Sequence, residues 1–140
     1  MKFFLLLLSF PLVLSIAGCE STCANQVLQE VPSPDKQLKA VVFQRDCGAT
    51  TGFSTQVSVI KVDEKLQNTK GDVFSADTDH GKVPSGPGGG PAVEIIWKEP
   101  HQLQITHSQH ARIFLAAKEI KVSTGIFKSE AIQITYSPIK

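Results

Sequence analysis

Beyond residue 38 the chain is a series of short runs in which β-branched and aromatic residues cluster between Gly, Pro, Asn and Asp. The clearest alternation sets Val93, Ile95 and Trp97 on one side and Glu94 and Lys98 on the other, with Ile96 the exception. After Glu99-Pro100, Leu103, Ile105 and His107 alternate with Gln102, Gln104 and Thr106. A period of two on both sides of a turn predicts an antiparallel hairpin with one buried face. Residues 38–45 and 54–62 read as two further strands joined by the turn-rich connection 46–53. Residues 119–122 and 131–136 also read as strands, whereas 112–118 is divided between Ile113-Phe114, which favours strand, and Leu115-Ala116-Ala117-Lys118, which favours helix. The expectation is a mainly β fold: one small antiparallel sheet of roughly six strands, meander-like, flat or curled into a small barrel or sandwich.

Two stretches lack this patterning. Residues 20–34 are polar apart from Val27, Leu28 and Val31 and end in Pro32-Ser33-Pro34. They read as a tether with a weak helical turn, reaching ~50 Å if fully extended. Pro34-Asp35-Lys36 then forms a turn, because Pro presets φ at its first central position. Residues 63–91 are polar and close on a Gly/Pro-rich run, 81–91, which is expected to be a flexible loop.

The amino terminus carries a different signal: Met1-Lys2, an apolar run over 3–16, then Ala17-Gly18-Cys19. One cation before a short apolar core reads as a secretory signal, too brief and too lightly flanked for a spanning helix. Ile16-Ala17-Gly18-Cys19 resembles the lipobox of bacterial lipoprotein precursors. That resemblance implies cleavage before Cys19, a diacylglyceryl thioether on its sulfur and usually a third chain on its amine. Two or three acyl chains anchor stably where one exchanges with water. The implied organisation is a signal peptide over 1–18, a lipidated tether over 19–34 and a β-rich domain over 35–140. Glu20 stands where Asp would imply retention at the inner membrane, so the resemblance points to the cell envelope and to the periplasmic face of an outer membrane.

Removing residues 1–18 takes away Lys2 and no acid, so the 14 basic residues fall to 13, equal to the 13 acidic ones. A neutral chain has no surplus with which to neutralise phosphates, which argues against nucleic acid as a partner and leaves the membrane, through the lipid, and another envelope protein. With Cys19 lipidated, Cys23 and Cys47 remain as an even pair in an exported protein. They read either as a structural disulfide, closing a loop worth on the order of 3 kcal/mol, or as a reactive thiol at Cys47.

Candidate chemistry is sparse. The glycine-rich run lacks the Gly-Lys-Ser/Thr ending of a phosphate loop, and Pro84, Pro87 and Pro91 remove donors. His101, His107 and His110 fall within ten residues, with His80 in the polar stretch, which makes a metal site one candidate. His107 and His110 differ by an odd number and point to opposite faces of a continuous strand, which leaves them weak ligands unless the strand ends first. A Cys47 nucleophile would need a base and an orienting partner, and no thiol-enzyme signature surrounds it. No catalytic residue is assigned, and no motif asks for a cofactor. The most individual segment is Arg45-Asp46-Cys47-Gly48-Ala49-Thr50-Thr51-Gly52-Phe53-Ser54-Thr55-Gln56, which holds a shaped loop in which Arg45, Asp46, Thr50 and Thr51 are candidate binding residues. Residues 34–59 resemble a stretch of small bacterial lipoproteins of unknown function, and that resemblance implies no activity. The expected function is non-catalytic: an anchored envelope protein with a binding or structural β domain. The alternatives are an inhibitor or immunity protein against a periplasmic hydrolase, and a thiol or metal protein using Cys47 or the histidines.

Overall fold

A computed structural model describes residues 22–48 and 50–139, and the lipobox and Cys19 lie outside them. Among the described residues nine strands form: β1 (Ala24–Pro32), β2 (Leu38–Asp46), β3 (Ser54–Lys61), β4 (Phe74–Asp77), β5 (Val93–Glu99), β6 (Gln102–Ser108), β7 (Arg112–Ala116), β8 (Glu119–Gly125) and β9 (Lys128–Ile139). They build a five-stranded sheet in the order β1-β2-β3-β4-β7 and a four-stranded sheet in the order β5-β6-β9-β8. The mainly β class is as expected; the single meander is not. The chain leaves the first sheet after β4, returns for β7 and leaves again for β8, and β6 pairs with β9 in parallel. Each sheet has one apolar face, and stacking the two buries both. Ala40, Val42, Val57, Val59, Phe74 and Ala76 of the first meet Ile95, Leu103, Ile105, Ile132 and Ile134 of the second in one core.

The predicted hairpin 93–107 forms as β5 and β6, with Ile95 opposite Ile105 and Trp97 opposite Leu103. Residues 112–116 resolve as strand, because Arg112, Ile113 and Leu115 pair with β4.

Two readings need correction. Most of the supposed tether is β1, paired along β2 from Ala24↔Asp46 to Pro32↔Lys39. A bulge between Val27 and Gln29 puts the core-packed Leu28 and Val31 three residues apart, a spacing that in sequence matches a helical turn rather than a strand. The polar stretch 63–91 hides β4, whose four residues are all buried. Ahead of β4, the chain crosses the outer face of β2 and β3 as a strap. The Gln56 side chain accepts from Gly71 N–H at 2.7 Å, and Asn25 Nδ2 donates to the Gln67 and Thr69 carbonyls. Val41 and Phe43 on that outer face are therefore as buried as the core itself.

The Gly/Pro-rich run, expected to be a flexible loop, lies against the first sheet. Gly90 approaches so closely that an added Cβ would come within 2.7 Å of the Thr55 backbone nitrogen, and Thr55 Oγ1 donates to the Pro91 carbonyl at 2.7 Å. Gly89, at φ +85°, sits on the Phe53 ring.

The domain has two distinct ends. At one, Cys23 and Cys47 follow Ala24 and Asp46 in the β1–β2 register and are joined by a disulfide. Arg45, Ser54, Asp77 and Arg112 share that row, and Ile139 reaches the same end because its carbonyl accepts from Gln109 in the turn leading to β7. At the other end β9 starts five residues before Gln133, the partner of Gln102, so the β8–β9 hairpin overhangs the β5–β6 turn. Ile126 (92% exposed) and Phe127 (102%) form its tip. The twelve residues of β9 set the two ends about 40 Å apart.

Candidate functional site

At the disulfide end, the outer face of the first sheet is left open beside the strap. Ser54 and Gln56 of β3, Ser75 and Asp77 of β4, and Arg112 and Phe114 of β7 face outward there. Cys47, Thr50, Thr51, Gly52 and Phe53 wall one side and Thr78 and His80 another, enclosing a cleft of about 440 Å³. The floor is polar although Gln56, Ser75 and Asp77 are buried. The disulfide and Gly89 hold the wall from behind, the latter through its contact with the Phe53 ring.

An ion pair organises the floor. Arg112 Nε donates to Asp77 Oδ1 at 3.1 Å, and Nη2 donates to Oδ2 in the second arm of a fork. Burial raises the Asp77 carboxyl, but the Arg112 hydrogen bond and the Asp79 amide outweigh it and hold the group below the usual carboxylate range. Arg112 is raised chiefly by the same hydrogen bond. Its guanidinium also lies 5.1 Å from the Phe114 ring centroid and 3.3 Å from His80 Nε2. Next to it, Lys82 Nζ bonds Asp79 at 2.7 Å and lowers that carboxyl. The two charges of the floor thus pair with each other, and Asp79 pairs with Lys82 beside them. Hydroxyls, an amide and two half-exposed phenyl rings suit an uncharged or amphipathic ligand, with polar atoms over the floor and apolar ones between Phe53 and Phe114.

Of the candidate binding residues in the individual loop, Thr50 and Thr51 line a wall of this cleft, but Arg45 and Asp46 do not. Arg45 Nη1 donates to Asn25 Oδ1 at 2.7 Å, and Asp46 Oδ1 accepts from Gly48 N–H at 2.9 Å. Both side chains shape the loop rather than line the cleft. Asp77, Arg112 and Phe114 belong to no motif of the sequence, and His80 stands out there only as a histidine near the other three. The ion pair is 35 residues apart in the chain, and only the β4–β7 pairing brings it together.

The histidines do not converge. His107 is buried against Phe74 and Tyr136, at ring-centroid distances of 5.3 and 6.1 Å, with Nδ1 on the Ser108 carbonyl. His110 is exposed beside Gln109, and His101 pairs with Glu130 at 2.7 Å at the far end of β6. Among the described residues no three His, Cys, Asp or Glu side chains gather as a metal site. The Cys47 sulfur is bonded to Cys23. Comparison with protein-family models, curated proteins and solved structures finds no match to this chain.

Proposed function

We propose that this chain is a lipid-anchored protein of the bacterial cell envelope, held through Cys19 on the periplasmic face of the outer membrane, whose β domain binds without catalysing. The cleft at the disulfide end is the binding site. The observation that carries this reading is the convergence of the Thr50–Phe53 wall, the Asp77–Arg112 floor and Phe114 around one solvent-open volume. Its charges are already paired, and its one sulfur pair is already oxidised. The lipobox and the neutral mature chain support the anchor and the absence of nucleic acid.

Photo-crosslinking in the native host tests the site. A benzophenone amino acid at Thr51 or Phe114 is expected to give defined adducts, and the same probe at Thr106, on the polar outer face of the second sheet, is not. Equal yields at all three positions would refute a dedicated cleft. Mass spectrometry of the mature amino terminus tests the anchor: thioether-linked diacylglycerol on Cys19 is expected, and a leader left uncut refutes it.

A second reading, an inhibitor of a periplasmic hydrolase, is favoured by the Ile126-Phe127 tip. Two large apolar side chains, both fully exposed on a narrow hairpin, have the shape of a plug for an enzyme cleft. Assay of lysozymes and amidases with the domain, and with Phe127→Ser, tests it; unaltered hydrolase activity in both cases ends it.

A further inference from the structure

We propose that the disulfide end of the sandwich is seated on the phospholipid bilayer, with Phe53, Phe114 and Ile139 in the headgroup region and the Ile126-Phe127 tip directed away from it. This rests on the reading of Cys19 as the lipidated residue. Only three residues separate Cys19 from Cys23, a span of at most about 14 Å. Cys23 has no freedom to swing away, because it is bonded to Cys47 and its carbonyl accepts from Asn68 Nδ2 of the strap. A membrane that holds Cys19 therefore lies within that short distance of the cleft wall.

The surface at this end fits a lipid interface. Phe53 is 43% exposed, Phe114 59% and Ile139 54%, and Ile139 with Val83, Pro84 and Ala92 lines a second, smaller hollow of about 250 Å³. Aromatic and aliphatic side chains gain from burial at the acyl boundary. Of the charges at this end, Asp77 is matched by Arg112 and Asp79 by Lys82, while Arg45 and Asp46, one of each sign, bond the Asn25 side chain and the Gly48 amide, so these groups sum to a balanced surface. The tip, about 40 Å up the long axis by strand length, is beyond the reach of the same bilayer. Seated this way, the cleft opens beside the headgroups, and its ligand class becomes amphipathic molecules drawn from the membrane surface.

The test uses full-length protein processed and acylated in cells, reconstituted in vesicles of phosphatidylethanolamine and phosphatidylglycerol. An environment-sensitive fluorophore is placed through Phe114→Cys, through Thr51→Cys as a second position in case the first disturbs folding, and through Phe127→Cys. Quenching by nitroxide lipids is expected to be several-fold stronger at 114 and 51 than at 127, with the reverse order for aqueous iodide. Acylated protein with labels 114 and 51 in water, or with 127 quenched as strongly as they are, overturns the seating while leaving the anchor intact. The intact mass of the same sample reports acylation, and an unmodified Cys19 overturns the anchor and the seating with it.

Discussion

Replacing Cys23 and Cys47 together by serine shows how much of the domain depends on the bridge. The bond joins residues 24 apart, and loop-closure entropy for that length gives about 3.5 kcal/mol. In the folded state little changes on its loss, because Ala24↔Asp46 and the seven register pairs beyond already hold β1 along β2. The effect falls on the unfolded chain, which gains the freedom the bridge denied it. For a domain of about 120 residues the unfolding entropy is near 0.25 kcal/mol/K, so the midpoint is expected to drop by roughly 14 °C. Thermal unfolding followed by circular dichroism measures it, and wild type kept in reductant is expected to fall to the same temperature as the variant. A drop under about 3 °C, equivalent to less than 1 kcal/mol, would refute the entropic account. A reduced wild type that unfolds well above the variant would place the loss in the serines instead.

Burial pushes the hydroxyl of Tyr136, the chain's single tyrosine, up to about 12. Ultraviolet titration should therefore find no ionisation near 10, and since the unfolded chain releases this proton first, stability is expected to fall as pH climbs above about 10 and to be unaffected below. Tyr136→Phe removes the donor to the Ala117 and Val73 carbonyls, at 2.7 and 3.2 Å, and is expected to cost about 1–2 kcal/mol in urea unfolding. The Asp77 carboxyl is depressed in the folded state, so its contribution is present above the ordinary carboxylate range and lost as pH falls through its folded value. Asp77→Asn should accordingly be less stable at pH 7 and show a flatter acid limb than wild type. Gly90→Ala drives a Cβ into the Thr55 backbone and is expected to cost about 1–3 kcal/mol. Gly52→Ala, with open space around it, should stay within about 0.5 kcal/mol.

The sequence was legible where one face of a strand is covered and the other is wet. β5, β6 and β9 alternate, Ile96 apart, because the outer face of the second sheet, with Glu94, Gln102 and Gln133, stays in solvent. It failed where a strand is too short to show its period or where the period slips. β4 alternates Phe74 and Ala76 on the core side with Ser75 and Asp77 on the cleft side, but over only four residues inside a polar stretch. β1 loses its period at the bulge. Glycines 86 and 90 look like punctuation in the sequence, yet they are small because backbone packs on them: Ala92 against the first, Thr55 against the second. Of the site, the loop wall could be found from its Cys, Gly and Thr content. The floor could not, because Asp77 and Arg112 each sit in an ordinary strand and acquire meaning only from a cross-strand pairing.

The two outer faces also explain why the cleft is a feature rather than leftover surface. Apart from Ile96, the second sheet's outer face is bare and polar, as solvent requires. On the first sheet the chain lays a strap over β2 and β3, and under it Val41 and Phe43 are apolar and fully buried. If the neighbouring part of the same face were meant only to be covered, apolar residues would serve there too. Instead the buried positions are Gln56, Ser75 and Asp77, whose desolvation is unfavourable unless each finds a partner. Gln56 and Asp77 find theirs in Gly71, Ser54, Asp79 and Arg112, all positioned by the fold at a cost in stability that an apolar floor would avoid. Polar groups held at that cost beneath an opening between two phenyl rings are the arrangement expected of a floor that meets a ligand, which is why substitutions of Ser75 to Ala should leave folding nearly untouched while weakening whatever is captured from Thr51.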